Sequence, residues 1–148
     1  MDLRNLADHR SVEPRADVKK LSVESQPSLF YRDLRPWVHP DENSQYPRSN
    51  DVVTCHYSGV LKRDGKAQTF DSSYERKTPT EFPVNGVIRG WTEVLQKMRV
   101  GQKWEVHIPY QLAYGENGFE PKIPAKTDLF FVIELIGINV KGTRRSEL

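Results

Sequence analysis

The chain has 148 residues, of which 36% are hydrophobic and 28% charged, a balance that suits one folded domain with tails and excludes a wholly disordered chain. No run approaches the roughly 18 apolar residues of a membrane span, so no membrane partner is expected. The opening MDLRNLADHR lacks an apolar leader and Cys55 is the only cysteine, so the expectation is a reducing, cytoplasmic setting without disulfides. The net charge of +2 sits wholly in residues 141–148, where Lys141, Arg144 and Arg145 face Glu147. A nucleic-acid binder concentrates positive charge on its folded body, so no nucleic-acid partner is expected.

Residues 1–28 hold no aromatic residue and are densely charged, which predicts a disordered extension with at most a short turn or strand between Val18 and Val23. The folded domain is placed at 29–140 and a basic tail at 141–148. SLFYRDL, from Ser28, reads as a first strand. RPWVHPDENSQYPRSN, with Pro36, Pro40 and Pro47, reads as a loop from which Trp37 folds back on the body. VVTCHYSGVL is a strand, Asp64-Gly65 a turn, and AQTFDSS the returning strand. YERKTPTEFPV is read as irregular because Pro79 and Pro83 punctuate it.

Trp91, Val94, Leu95 and Met98 follow the i, i+3, i+4, i+7 spacing of an amphipathic helix, with Gly90 before it and Gly101 ending it. KWEVHI alternates, which puts Trp104, Val106 and Ile108 inward and Lys103, Glu105 and His107 on a solvated face. Residues 109–128 form a long loop, a length that often marks function. LFFVIELIGI is apolar on nearly both faces and belongs at the centre of a sheet. The class is α+β: a mostly antiparallel sheet of about five strands wrapped on one short helix.

Familiar chemistries are missing from the sequence. The four histidines form no HxxxH pair, and one cysteine cannot build a zinc cluster, so no metal is expected. Cys55 and His56 are adjacent on a strand and point to opposite faces, so they cannot pair as nucleophile and base. GVIRGW does not end in the GK[ST] of a phosphate loop. By spacing alone, Trp91, Phe70, Phe82 and Phe131 are core residues, Asp71 a turn former, Arg76 a solvated charge, and Tyr57 and Tyr114 rim packing.

Six motifs occur in order: HYSG (56–59), FDSS (70–73), VIRGW (87–91), AYG (113–115), IP (123–124) and LFFVIEL (129–135). Together they resemble the FKBP-type peptidyl-prolyl cis–trans isomerases, the macrolide-binding immunophilins. TEFPVNGVIRGWTEVLQKM is most similar to members near the macrophage infectivity potentiator group. The resemblance covers residues 29–140 and implies a five- or six-stranded antiparallel half-barrel around one short helix. It implies rotation of X–Pro bonds in peptide or protein substrates, assistance to folding, inhibition by rapamycin or tacrolimus, no cofactor, and a monomer. The alternative is a binding module or chaperone of the same fold with little turnover.

The resemblance also assigns a pocket. It implies Asp71 and Tyr114 as catalytic, with Asp71 orienting the twisted carbonyl or organising Tyr57 and Arg76. Tyr57, Phe70 and Arg76 form one wall with Asp71, and Phe82 is a second aromatic. Val87 and Ile88 form the segment whose Ile88 N–H meets a ligand carbonyl. Trp91, the first helical residue, is the floor, and Ile123 and Phe131 are the far wall. Thr80 stands where short members place an aromatic, Phe119 and Lys122 depart from the usual loop residues, and the Pro-rich insertion 36–47 is longer than usual.

Overall fold

A computed structural model describes residues 17–40 and 44–139. The readings of residues 1–16 and of the basic tail lie outside the described residues. Among the described residues seven strands form one sheet: β1 (Lys19–Leu21), β2 (Leu29–Asp33), β3 (Val52–Arg63), β4 (Lys66–Ser72), β5 (Thr80–Pro83), β6 (Lys103–Ile108) and β7 (Leu129–Asn139). Among the same residues two short α-helices, α1 (Ser73–Arg76) and α2 (Arg89–Leu95), interrupt them. The strand order is β1-β2-β6-β7-β3-β4, and β5 pairs with β3 beside β4; every pairing is antiparallel. The sheet is open, as the half-barrel reading anticipated.

Strand β3 shows why the sheet bends around one core. Val53, Cys55, Tyr57, Gly59 and Leu61 alternate into the interior, while the residues between them are half-buried. Helix α2 packs Trp91, Val94 and Leu95 into the same interior, joined by Met98 from the turn that follows. Gly90 allows that approach: a Cβ there would lie 2.6 Å from Ile108 Cγ2 on β6. Burial pushes the Cys55 thiol up to about 12, as suits a small buried hydrophobe.

Several expectations change. The ordered chain begins before residue 29: β1, which falls within the short turn or strand read between Val18 and Val23, pairs Lys19–Leu21 against Leu29–Tyr31, and Val23 is buried. A short strand with few apolar residues gains its place from an existing edge rather than from its own pattern. Residues 80–83 are a strand, since Val53 and Phe82 are paired on the free stretch of the β3 edge and the prolines fall outside the ladder's centre. Helix α2 starts at Arg89 and ends at Leu95, so Trp91 is its third residue; Gly101, at φ +98, closes the turn beyond it. Trp37 does not fold back and is 71% exposed.

The largest correction concerns β6. Glu105 and His107 are buried, not solvated. Glu105 Oε1 lies 2.5 Å from Arg32 Nη2, and His107 Nε2 lies 2.9 Å from Asp128 Oδ2 while its ring stacks on Phe130. Alternation separated the two faces correctly. It could not show that β2 and β7 flank β6 and carry Phe30, Phe130 and Val132 over its second face.

Val23→Ala should lower stability by about 1–2 kcal/mol, the value of two buried methyl groups in this environment. Equilibrium urea unfolding checks this. An unchanged midpoint would place the β1 segment outside the cooperative unit.

Candidate active site

A cavity of about 510 Å³ opens between helix α2 and the inner face of the sheet. Trp91 lines it, almost fully buried. Three rings meet it edge to face: Tyr57 at 5.4 Å and 85°, Phe82 at 5.0 Å and 64°, and Phe131 at 5.4 Å and 85° between centroids. Phe70 meets Phe131 at 5.7 Å and 81°. Edge-to-face packing places each ring's positive rim against its neighbour's negative face, so the walls hold one another in place. They come from five places: β3, β4, β5, α2 and β7.

Val87 and Ile88 complete one side just before α2. The Ile88 carbonyl accepts from the Trp91 and Thr92 amides at 3.0 and 3.2 Å, while its own N–H donates to nothing among the described residues. A donor is therefore left available beside the rings. Tyr114 faces them from the 109–128 loop, 40% exposed and stacked on Phe119 at 5.5 Å. Burial, and then the charge of Asp71, raises the Tyr114 phenol above its ordinary value.

The polar corner is built by Tyr57, Asp71 and Arg76. The Tyr57 hydroxyl donates to Asp71 Oδ2 at 2.5 Å, and Arg76 Nη1 donates to Asp71 Oδ1 at 2.5 Å. Arg76 Nη2 also donates to the Tyr57 oxygen at 2.9 Å and to Thr80 Oγ1 at 3.3 Å. Burial alone pushes the Asp71 carboxyl up. The hydrogen bonds from Tyr57 and Arg76 and the charges of Arg76 and Lys122 outweigh it, so the carboxyl ends below the usual carboxylate range. Tyr57 moves the other way, raised first by burial and then by its bond to Asp71. The corner is thus an ionised carboxylate held by a protonated phenol and a guanidinium.

Nine of the residues named from sequence line this one cavity: Tyr57, Phe70, Asp71, Phe82, Val87, Ile88, Trp91, Tyr114 and Phe131. Two do not. Arg76 stands behind Asp71 at the exposed edge, and Ile123 is packed into the core, its backbone bridged to Phe119. Gly86 lines the cavity and was not named; only its place in the VNGVI turn marks it. Gly59 was also unremarked beyond its motif. A Cβ there would come within 2.6 Å of Phe70 and 2.8 Å of Phe131, so only glycine lets those two walls meet.

An aromatic slot with one organised carboxylate, on an open antiparallel sheet around a short helix, defines a class that the comparisons identify. Residues 43–136 match the model of the FKBP-type peptidyl-prolyl cis-trans isomerases, and the chain belongs to that family. It is 52% identical over 92 residues to the FKBP-type 22 kDa peptidyl-prolyl cis-trans isomerase of Escherichia coli, covering 62% of this chain and 43% of that one. It is 49% identical over 100 residues to the macrophage infectivity potentiator of Trypanosoma cruzi, covering 68% and 50%. The chain thus spans about half the length of these relatives. A peptidyl-prolyl cis-trans isomerase of Pseudomonas syringae superposes with a TM-score of 0.69 at 34% identity, over 93% of this chain and 90% of that one.

Binding of a proline peptide should change the tryptophan fluorescence, and Trp91→Leu should remove most of the change, although Trp37 and Trp104 remain. A signal that survives in the variant would take Trp91 out of the site. Gly59→Ala should cost about 1–3 kcal/mol, typical of overpacking, and displace at least one of Phe70 and Phe131. Denaturant unfolding gives the first value, and altered aromatic ring resonances of Phe70 and Phe131 in the folded variant report the second.

Proposed function

We propose that this chain accelerates cis–trans rotation about X–Pro bonds in peptide or protein segments. The observation that carries the reading is the aromatic slot around Trp91, closed on one side by the Tyr57–Asp71–Arg76 corner. Rotation of a peptide bond is opposed by a barrier of about 18–20 kcal/mol, set by C–N resonance. Twisting the bond localises a lone pair on nitrogen and lowers the amide's dipole. A protein therefore accelerates rotation without a nucleophile: it removes water from the amide and favours the less polar twisted form.

The residues divide that work. Phe82, Trp91 and Phe131 receive the pyrrolidine ring and exclude water. The Ile88 N–H and the Tyr114 hydroxyl hold carbonyls that flank the bond. Asp71 keeps Tyr57 oriented and presents fixed negative charge at the slot's edge. Hydrogen bonds already formed in the free protein need no rearrangement during the reaction. Inhibition by rapamycin or tacrolimus through the same slot belongs to this proposal, as do a folding role, a cytoplasmic setting and action as a monomer.

A protease-coupled assay on a short X–Pro peptide, with and without rapamycin, tests the reading. A catalysed rate no faster than the uncatalysed one would favour the binding-module alternative. No proton moves in this mechanism, so kcat/KM should be nearly flat from about pH 6 to 8.5. The shifts agree in sign. Asp71, lowered, is ionised throughout that window, and its stabilising contribution is lost only as the pH falls through its folded value. Tyr57 and Tyr114, raised, stay protonated, and their contribution is lost only as the pH climbs past the tyrosine range. Tyr114→Phe removes one hydrogen bond of about 0.5–1.5 kcal/mol and should slow turnover a few-fold to about tenfold. A sigmoidal or bell-shaped pH profile centred near neutrality would replace this mechanism with acid–base catalysis.

A further inference from the structure

Tyr57 enters the slot from a stretch of β3 that lacks a strand on one side. The β4 register covers Ser58–Arg63, and the β5 register covers Val52–Cys55. Neither reaches His56 or Tyr57. A side chain fills the gap: Ser73 Oγ accepts the Tyr57 N–H at 2.7 Å and donates to the Tyr57 carbonyl at 3.2 Å. Ser73 is fully buried at the start of α1. One hydroxyl thus satisfies both backbone groups that a neighbouring strand would have paired.

The same oxygen lies 2.7 Å from His56 Nδ1. A hydroxyl carries one hydrogen and two lone pairs. Its hydrogen goes to the Tyr57 carbonyl, so both lone pairs accept, one from the Tyr57 amide and one from His56. His56 Nδ1 must then carry a proton. The reverse arrangement, with Ser73 donating to Nδ1, would leave the buried Tyr57 carbonyl without this donor, and an unmade buried bond is costly. The imidazole is kept in place by stacking on Tyr74 at 4.6 Å and 13°, and the Tyr74 hydroxyl donates to Glu134 Oε1 at 2.8 Å.

We propose that His56 and Ser73 are positioning residues for the slot. The His56 Nδ1–H orients the Ser73 hydroxyl, and that hydroxyl holds the Tyr57 backbone so that its phenol meets Asp71. His56 lies on the opposite face of the strand from Tyr57 and never touches the cavity. Its influence passes around the edge of β3 through one oxygen atom.

Two measurements test this, and only the second rests on the proposed isomerase activity. Long-range ¹H–¹⁵N correlation of the wild-type protein at alkaline pH, where an imidazole carries a single proton, reads the tautomer directly. The expected result is a protonated Nδ1 and a bare Nε2; the opposite tautomer overturns the proposal. The second compares His56→Asn with His56→Leu. Both remove the ring and its stacking, but asparagine keeps an N–H donor near the Nδ1 position. X–Pro turnover should stay within about twofold in His56→Asn and fall roughly three- to tenfold in His56→Leu, at matched thermal midpoints. Equal turnover in the two variants overturns the proposal, because they differ in the donor. If the wild-type protein is itself inactive, the functional reading fails and the tautomer still decides this one.

Discussion

Strand β3 must satisfy two edges with three neighbours, and the exchange of neighbours on one edge shapes the site. One edge is occupied by β7 from Val52 to Val60. The other is divided between β5 and β4. The division follows from the short detour after Ser72. That residue caps α1 by accepting the Glu75 N–H at 3.3 Å, and Lys77 reverses the chain at φ +60 so that Thr80 can begin β5. The detour places Arg76 behind Asp71, which lies at the end of β4 beside Ser72, and Ser73 beneath the strand. The polar corner is therefore a product of how the strand changes partners.

The aromatic slot depends on a different constraint, the close approach of elements that carry large rings. Helix α2 reaches β6 because Gly90 clears Ile108, and this sets the depth of Trp91. Phe70 and Phe131 meet because Gly59 leaves room between β4 and β7. Each ring then touches another at its edge, so the slot is held by packing rather than by any single element. A rigid apolar slot beside a preorganised carboxylate suits a reaction whose barrier is electronic resonance. Little has to move for the environment to favour the twisted amide.

The convex side of the sheet obeys another rule. There, Arg32 pairs with buried Glu105, and His107 is bound to Asp128 and stacked on Phe130. The Asp128 carboxylate also accepts the Tyr110 N–H at 2.9 Å, so this face ties β6 to both ends of the 109–128 loop that carries Tyr114. A polar network behind the sheet thus fixes the loop that closes the front.

The sequence by itself determined the long elements and most of the slot. Strands β3, β6 and β7 and helix α2 are legible because periods of two and 3.6 mark which side chains share a face. Through the resemblance, five of the six motifs placed eight cavity residues and the TEFPVNGVIRGW stretch added Phe82, whereas the IP motif placed Ile123, which lies outside the cavity. The tertiary structure alone decided the rest. Strands β1 and β5 have weak patterns and exist because the edges of β2 and β3 were free to pair. His107 and Glu105 alternate like surface residues, and whether the second face of β6 is covered depends on strands distant in the chain. Arg76 and Ile123 fell one layer outside the cavity, and the hydroxyl of Ser73 acquired its role only where two strands part. Periodicity reports the direction of a side chain relative to its own backbone. What it meets there is set by which segments return to it.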